Sequence, residues 1–212
     1  MSRFIDITPA VSAATPVFPG DTPFAAQSVM AISKDVPVNV SRLTLSSHAG
    51  AHADAPLHYD AGGAPIDAVD VGAYIGPCTV VHIINDAALL NRDMVRDALA
   101  QTGANIAPRV LIRTYARQPQ VWDPAFTAIS AEAVAWLAGE GVRLIGVDTP
   151  SLDPASSKIM DAHRAVFAHD MRILEGLCLD AAPEGAYELI APPLKLEGLD
   201  AAPVRAVLRV LE

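Results

Sequence analysis

Eleven consecutive residues constrain this chain more than any other part of it. In His48-Ala49-Gly50-Ala51-His52-Ala53-Asp54-Ala55-Pro56-Leu57-His58 every even position is His, Gly, Asp or Pro, and every odd position is Ala or Leu. Period-two sorting sends alternate side chains to opposite faces, so polar groups gather on one side and small apolar ones on the other. A helix does not fit. It would carry Asp54 far from the face shared by His48 and His52, and both Gly50 and Pro56 oppose it. The His-Glu-x-x-His motif of zinc-protease helices is also absent. A straight strand fails as well, because at about 3.3 Å per residue it would hold His48 and Asp54 roughly 20 Å apart. Metal–ligand bonds are only about 2 Å long. The segment must therefore curl, with Gly50 and Pro56 permitting the bends. The expectation is a curved segment whose polar side turns inward on a metal ion.

Three histidines and an aspartate can serve one zinc, and a carboxylate can also bridge two ions. Further ligands must come from elsewhere in the chain. The best candidates lie in Lys158–His163, which ends on His163, and in Ile173–Leu177, which contains Glu175. A charge inside that apolar run is costly unless paired. Glu175 is thus either a ligand or an edge-strand carboxylate facing solvent, and the segment alone does not choose. His82 and His169 have no ligand pattern around them and read as ordinary solvated or hydrogen-bonded histidines.

The remaining composition narrows the class. A chain of 212 residues suits a single domain, 1–212, with a substantial core. Its formal charge of −9 removes the electrostatic case for binding nucleic acid or an anionic membrane surface. With 51% hydrophobic and 18% charged residues it is not a disordered chain. No apolar run approaches the roughly 18–20 residues of a membrane span, and Met1–Asp6 lacks a basic-then-apolar signal. Cys78 and Cys178 stand far apart with no Cys-x-x-Cys partner, which argues against a disulfide framework and for a reducing, cytoplasmic setting. Alternation predicts strands near 4–8, 38–46, 78–84, 110–114, 144–147, 187–191 and 204–210. Helices are expected over 91–101, after the N-cap Ser130 as far as Gly141, and between Ser156 and about Ala168. The result is an α/β or α+β single domain.

The His48-x-Gly50-x-His52-x-Asp54-x-Pro56-x-His58 run resembles the signature of the cyclase-type metal hydrolases, and more specifically their bacterial kynurenine formamidase branch. The likeness includes Pro19–Pro23, Gly146–Pro154, Pro183–Ala191 and Pro203–Ala206. It implies an α/β swivelling β/β/α domain, with a mixed sheet and flanking helices, in a homodimer with two zinc ions per subunit. By the same resemblance His48, His52, Asp54, His163 and Glu175 are metal ligands, with Asp54 bridging, and His58 is the catalytic acid/base. Phe18 stands where the family usually has Trp, at a position lining the substrate pocket.

The implied reaction is hydrolysis of N-formyl-L-kynurenine to L-kynurenine and formate, a step of tryptophan degradation. An anilide-type formamide resists neutral water, and zinc chemistry supplies hydroxide near pH 7. The aryl amine must be protonated as it leaves, a task suited to an imidazole. Phe18 offers a flat apolar wall for the ring. The alternatives are another cyclase-type amidohydrolase that opens isatin-like cyclic amides, and a non-catalytic metal-binding module.

Overall fold

The computed structural model describes residues 3–211; Met1, Ser2 and Glu212, at the ends of the expected domain, lie outside them. In chain order the strands and helices are β1 (Phe4–Asp6), β2 (Ala25–Met30), β3 (Val40–Thr44), β4 (His52–Asp54), β5 (Ile75–His82), β6 (Leu89–Leu90), α1 (Arg92–Gln101), β7 (Arg109–Arg113), β8 (Ala128–Ile129), α2 (Ala131–Gly139), β9 (Leu144–Val147), α3 (Asp161–Ala168), β10 (Arg172–Glu175), β11 (Gly185–Ile190), β12 (Ala201–Pro203) and β13 (Val207–Val210). Each strand predicted from alternation is present, with bounds shifted by up to a few residues. Asn91 and Ser130 cap α1 and α2 by accepting from the backbone N–H of Met94 and Ala133. The third helix starts later than predicted, at Asp161.

Among the described residues nine strands form one mixed sheet in the order β1-β13-β11-β5-β7-β9-β10-β4-β12. Its centre, β5-β7-β9-β10, is parallel. Parallel neighbours need crossover connections, and α1, α2 and α3 lie in the three that join them. The pairings outside this centre are antiparallel.

Alternation sorts the central strands onto two cores. Val80, Leu111, Leu144 and Leu174 face one cluster, together with Ala53 and Ala202 from one end of the sheet and Tyr187 and Leu208 from the other. Residues from both ends meet in this cluster because the sheet curls around it. Val81, Val110, Ile112, Ile145, Val147 and Ile173 face the other way, against Val95, Leu137 and Val166 of the helices. This is a mixed α/β fold with a curled sheet, as the sequence implied.

The 48–58 segment is a turn through Gly50 (φ +67°), the short strand β4, and a single 3-10 turn over Pro56–His58 with Pro at its start. The expected bends therefore fall at the expected residues. Ala49, Ala51, Ala53 and Ala55 are all buried, which accounts for the small residues at odd positions. Strand β10 is internal, between β9 and β4, so the edge-strand reading of Glu175 does not hold.

Strands β2 and β3 form a separate two-stranded ribbon in which every residue is exposed. Val29, Met30, Ile32, Val38, Val40 and Leu43 stand on it or on its connecting loop. None of the helices is long and apolar enough to cross a membrane. Cys78 and Cys178 are both free thiols.

Gly176, just past β10, has φ +65°, and a Cβ there would collide with the Gly50 carbonyl oxygen. Both facts demand glycine. Gly176→Ala is expected to lower stability by about 1–3 kcal/mol, read as a shift of the urea unfolding midpoint.

Candidate metal centre

Strand register brings the first three groups together. Asp54 pairs with Ile173 and His52 with Glu175 across β4 and β10, so His52, Asp54 and Glu175 leave the sheet on the same face. That face is the one covered by α3, whose Ala162 and Val166 pack into the helix-side core. His163, between them in sequence, is fully buried and completes the cluster.

The ring nitrogens of two histidines are assigned by their partners. His52 Nδ1 donates to the Gly50 carbonyl at 2.9 Å, and His163 Nδ1 donates to Asp153 Oδ2 at 2.7 Å. In a neutral imidazole the other nitrogen then carries a lone pair. His52 Nε2 faces Asp54 Oδ1 and Glu175 Oε2, each at 3.4 Å. His163 Nε2 faces Asp54 Oδ2 and Glu175 Oε1, also at 3.4 Å. The two nitrogens and both Asp54 oxygens are buried without a hydrogen-bond partner. Lone pairs pointing at carboxylate oxygens would repel them unless a cation lay between, and this donor set of imidazoles and carboxylates suits zinc. The residues fit a metal.

Asp54 belongs to two potential ligand groups, one with His48 and His52 and one with His58 and His163. That sharing is what a bridging carboxylate needs. Burial alone would raise the Asp54 pKa, but the close approach of His163 and His48 holds it well below the ordinary carboxylate range. Burial likewise opposes a charge on His163, yet Asp153, Asp54 and Glu175 push its pKa well up. His48 is pushed up to about 9, where Asp54, Asp200 and Glu175 outweigh burial. The pocket thus has a strong demand for positive charge, which a metal would meet by displacing those protons.

Two carboxylates that the sequence reading missed hold the histidines in place. Asp153 accepts from the backbone N–H groups of Ala162 and His163 as well as from the His163 ring, so it caps α3 and orients the imidazole together. Its only signal in the sequence is an acid shortly before a helix. Asp200 lies 2.9 Å from His48 Nε2 and 3.4 Å from His58 Nδ1, and it also accepts from Ser47 Oγ. It precedes β12, the edge strand paired with β4, and nothing local in the sequence marks it. His58 lies against His48 with ring centroids 4.3 Å apart and planes tilted by 46°, and is partly exposed. His82 instead contacts the Ala182 carbonyl and His169 sits exposed at the end of α3.

A cavity of about 180 Å³ opens beside the cluster, lined by His48 and His52 and by Phe18, Tyr115, Gln118 and Trp122. Phe18 is half exposed, and its ring meets Trp122 edge to face at 5.4 Å. Trp122 had no distinguishing mark in the sequence.

Residues 5–154 match a family described as "Putative cyclase". The chain is similar over its full length to a solved structure described as a potential metal-dependent hydrolase with cyclase activity, at 26% identity and a TM-score of 0.85, with all of that chain covered. A predicted metal-dependent hydrolase from Bacillus stearothermophilus is 27% identical, with a TM-score of 0.81 over 99% of this chain and 98% of the other. Isatin hydrolase A from Ralstonia solanacearum is 25% identical, with a TM-score of 0.82 over 99% and 92%.

Asp153→Ala removes the acceptor that fixes the His163 ring. It is expected to weaken metal binding by about 10–100-fold, measured by competition with a chromogenic chelator.

Proposed function

Because this chain belongs to the cyclase family, we propose that it is a zinc-dependent arylformamidase that hydrolyses N-formyl-L-kynurenine to L-kynurenine and formate. The observation that carries the hydrolase reading is the pair of ring nitrogens, His52 Nε2 and His163 Nε2, converging on the two carboxylates of Asp54 and Glu175 beside an aromatic-lined cavity. The likeness to metal-dependent hydrolases supports it further. The formyl substrate rests on the resemblance of the His48–His58 run and its flanking motifs.

In this reading His48, His52, Asp54, His163 and Glu175 would hold two zinc ions, Asp54 being the carboxylate common to two potential ligand groups. Bound zinc supplies Lewis acidity and a water acidic enough to give hydroxide near neutral pH. The chain supplies the proton handling. Asp200 holds His58 at Nδ1, which leaves Nε2 to take a proton and return it to the departing aryl amine nitrogen. Asp200 also contacts His48, so one carboxylate sets the relative positions of a ligand and the acid/base. Phe18 and Trp122 present aromatic faces to the substrate ring.

Two observations favour second readings. The isatin hydrolase likeness supports opening of a cyclic amide instead of a linear one. Turnover of isatin without turnover of N-formyl-L-kynurenine would replace the substrate proposed here. His58 lies within ligand reach of Asp54 and His163, which supports a ligand role for it. A purely metal-binding module has no use for the aromatic-lined cavity beside the cluster.

The expected assembly is a homodimer in the cytoplasm. A lone two-stranded ribbon is marginal in water, and the apolar side chains exposed on and around β2 and β3 support a second copy of the chain as their cover.

His58→Ala is expected to keep its full metal complement by elemental analysis while kcat/KM falls by about 10²–10⁴-fold. Depleted zinc in that variant would make His58 a ligand. Leu43→Lys is expected to shift the protein from dimer to monomer in light scattering, with the metal content unchanged.

A further inference from the structure

Two cavities meet at one aromatic pair. Next to the cavity of about 180 Å³ beside the metal cluster is a second, wider one of about 530 Å³. The residues common to both linings are Phe18 and Trp122, whose rings touch edge to face at 5.4 Å. This pair is the partition between the two spaces.

The partition is uneven. Trp122 is braced by the buried ring of Phe126, with centroids 6.3 Å apart. Phe18 is half exposed, and Trp122 is its one aromatic contact among the described residues. Its backbone carbonyl accepts from the Asp21 N–H, so it opens a surface turn. Trp122 is thus the fixed side of the partition and Phe18 the side free to turn.

Size and lining indicate what the second cavity can hold. Small-molecule sites usually occupy about 300–1,000 Å³. The metal-side cavity falls below that range and the second falls within it. Leu89, Pro124, Phe126 and Pro154 contribute to its walls, Ser156 brings a hydroxyl, and no charged side chain or histidine lines it among the described residues. Such walls favour an uncharged aromatic group and disfavour a charged one. His48 and His52 line the first cavity and not the second. A substrate whose reacting end lies at the metal cluster therefore turns its far end toward Phe18 and Trp122.

We propose that the second cavity is a subsite for an apolar extension of the substrate's aryl ring, reached past Phe18. This rests on the arylformamidase reading and widens it from N-formyl-L-kynurenine to aryl formamides that carry a second ring.

The test uses the zinc-loaded protein and two carboxylates as metal-directed probes, benzoate and biphenyl-4-carboxylate, with affinities from calorimetry. The wild type should bind the longer acid at least about tenfold more tightly. Ala125 lines the second cavity and not the first, so Ala125→Trp fills the subsite alone. It should remove most of that preference and leave benzoate binding unchanged, and Ala155→Phe, from a different loop, should do the same. The proposal is overturned by a wild type without the preference, by a preference that both variants leave intact, or by equal weakening of both probes in both variants. A loss of self-association in the variants with the preference intact also overturns it, since the cavity would then be covered by a second copy of the chain. Turnover separates this inference from the reading beneath it. The preference without hydrolysis of formanilide or N-formyl-4-aminobiphenyl upholds the subsite and sinks the arylformamidase reading, whereas hydrolysis of formanilide without the preference does the reverse.

Discussion

A single carboxylate with no donor of its own organises this protein. Asp54 is fully buried, and both of its oxygens lack hydrogen bonds while three imidazoles close on them. A charge in that position is unfavourable by several kcal/mol unless something positive shares the space. The surrounding chain supplies more negative charge, through Glu175, Asp153 and Asp200, and among the described residues no Lys or Arg pairs with the cluster. The arrangement suits a receptacle for positive charge, so metal binding and the stability of this part of the fold would be coupled.

That receptacle needs a rigid frame, and the curled sheet provides one. Strand β4 is only three residues long, yet it is hydrogen-bonded to β10 on one side and β12 on the other. On its inner face Ala53 packs in the core around which the sheet curls, while His52 and Asp54 leave on the opposite face toward α3. Alanine leaves room for the sheet to curl tightly beneath His52 and Asp54. The near contact of Gly50 with Gly176 serves the same closeness, since the Gly50 carbonyl that would clash with a side chain at 176 is also the acceptor that orients His52. Packing and ligand orientation thus meet at one backbone atom.

The carboxylates behind the histidines divide the labour. Asp153 couples His163 to the start of α3, and Asp200 couples His48 to His58. Each imidazole near Asp54 is therefore held by a second group through its far nitrogen or its neighbour, as metal-binding histidines generally are. The open side of the cluster is faced by the segment between β7 and β8, which brings Gln118 and Trp122 to the cavity.

Local chemistry in the sequence was enough to determine the curl of 48–58, the inward polar side, the Ser130 helix cap and most of the sheet strands, because each depends on short-range rules of alternation, φ preference and capping. It also marked His163 and Glu175 as candidates, though Glu175 stayed undecided between ligand and solvent. Only the tertiary structure removed the solvent alternative, by placing β10 inside the sheet in register with β4. Asp153 showed only as an acid shortly before a helix, while Asp200 and Trp122 were invisible for the same physical reason. Their roles arise from contacts with residues distant in the sequence, as with Asp200 and His48, which lie 152 positions apart, and no local pattern encodes a partner that only the folded sheet brings near.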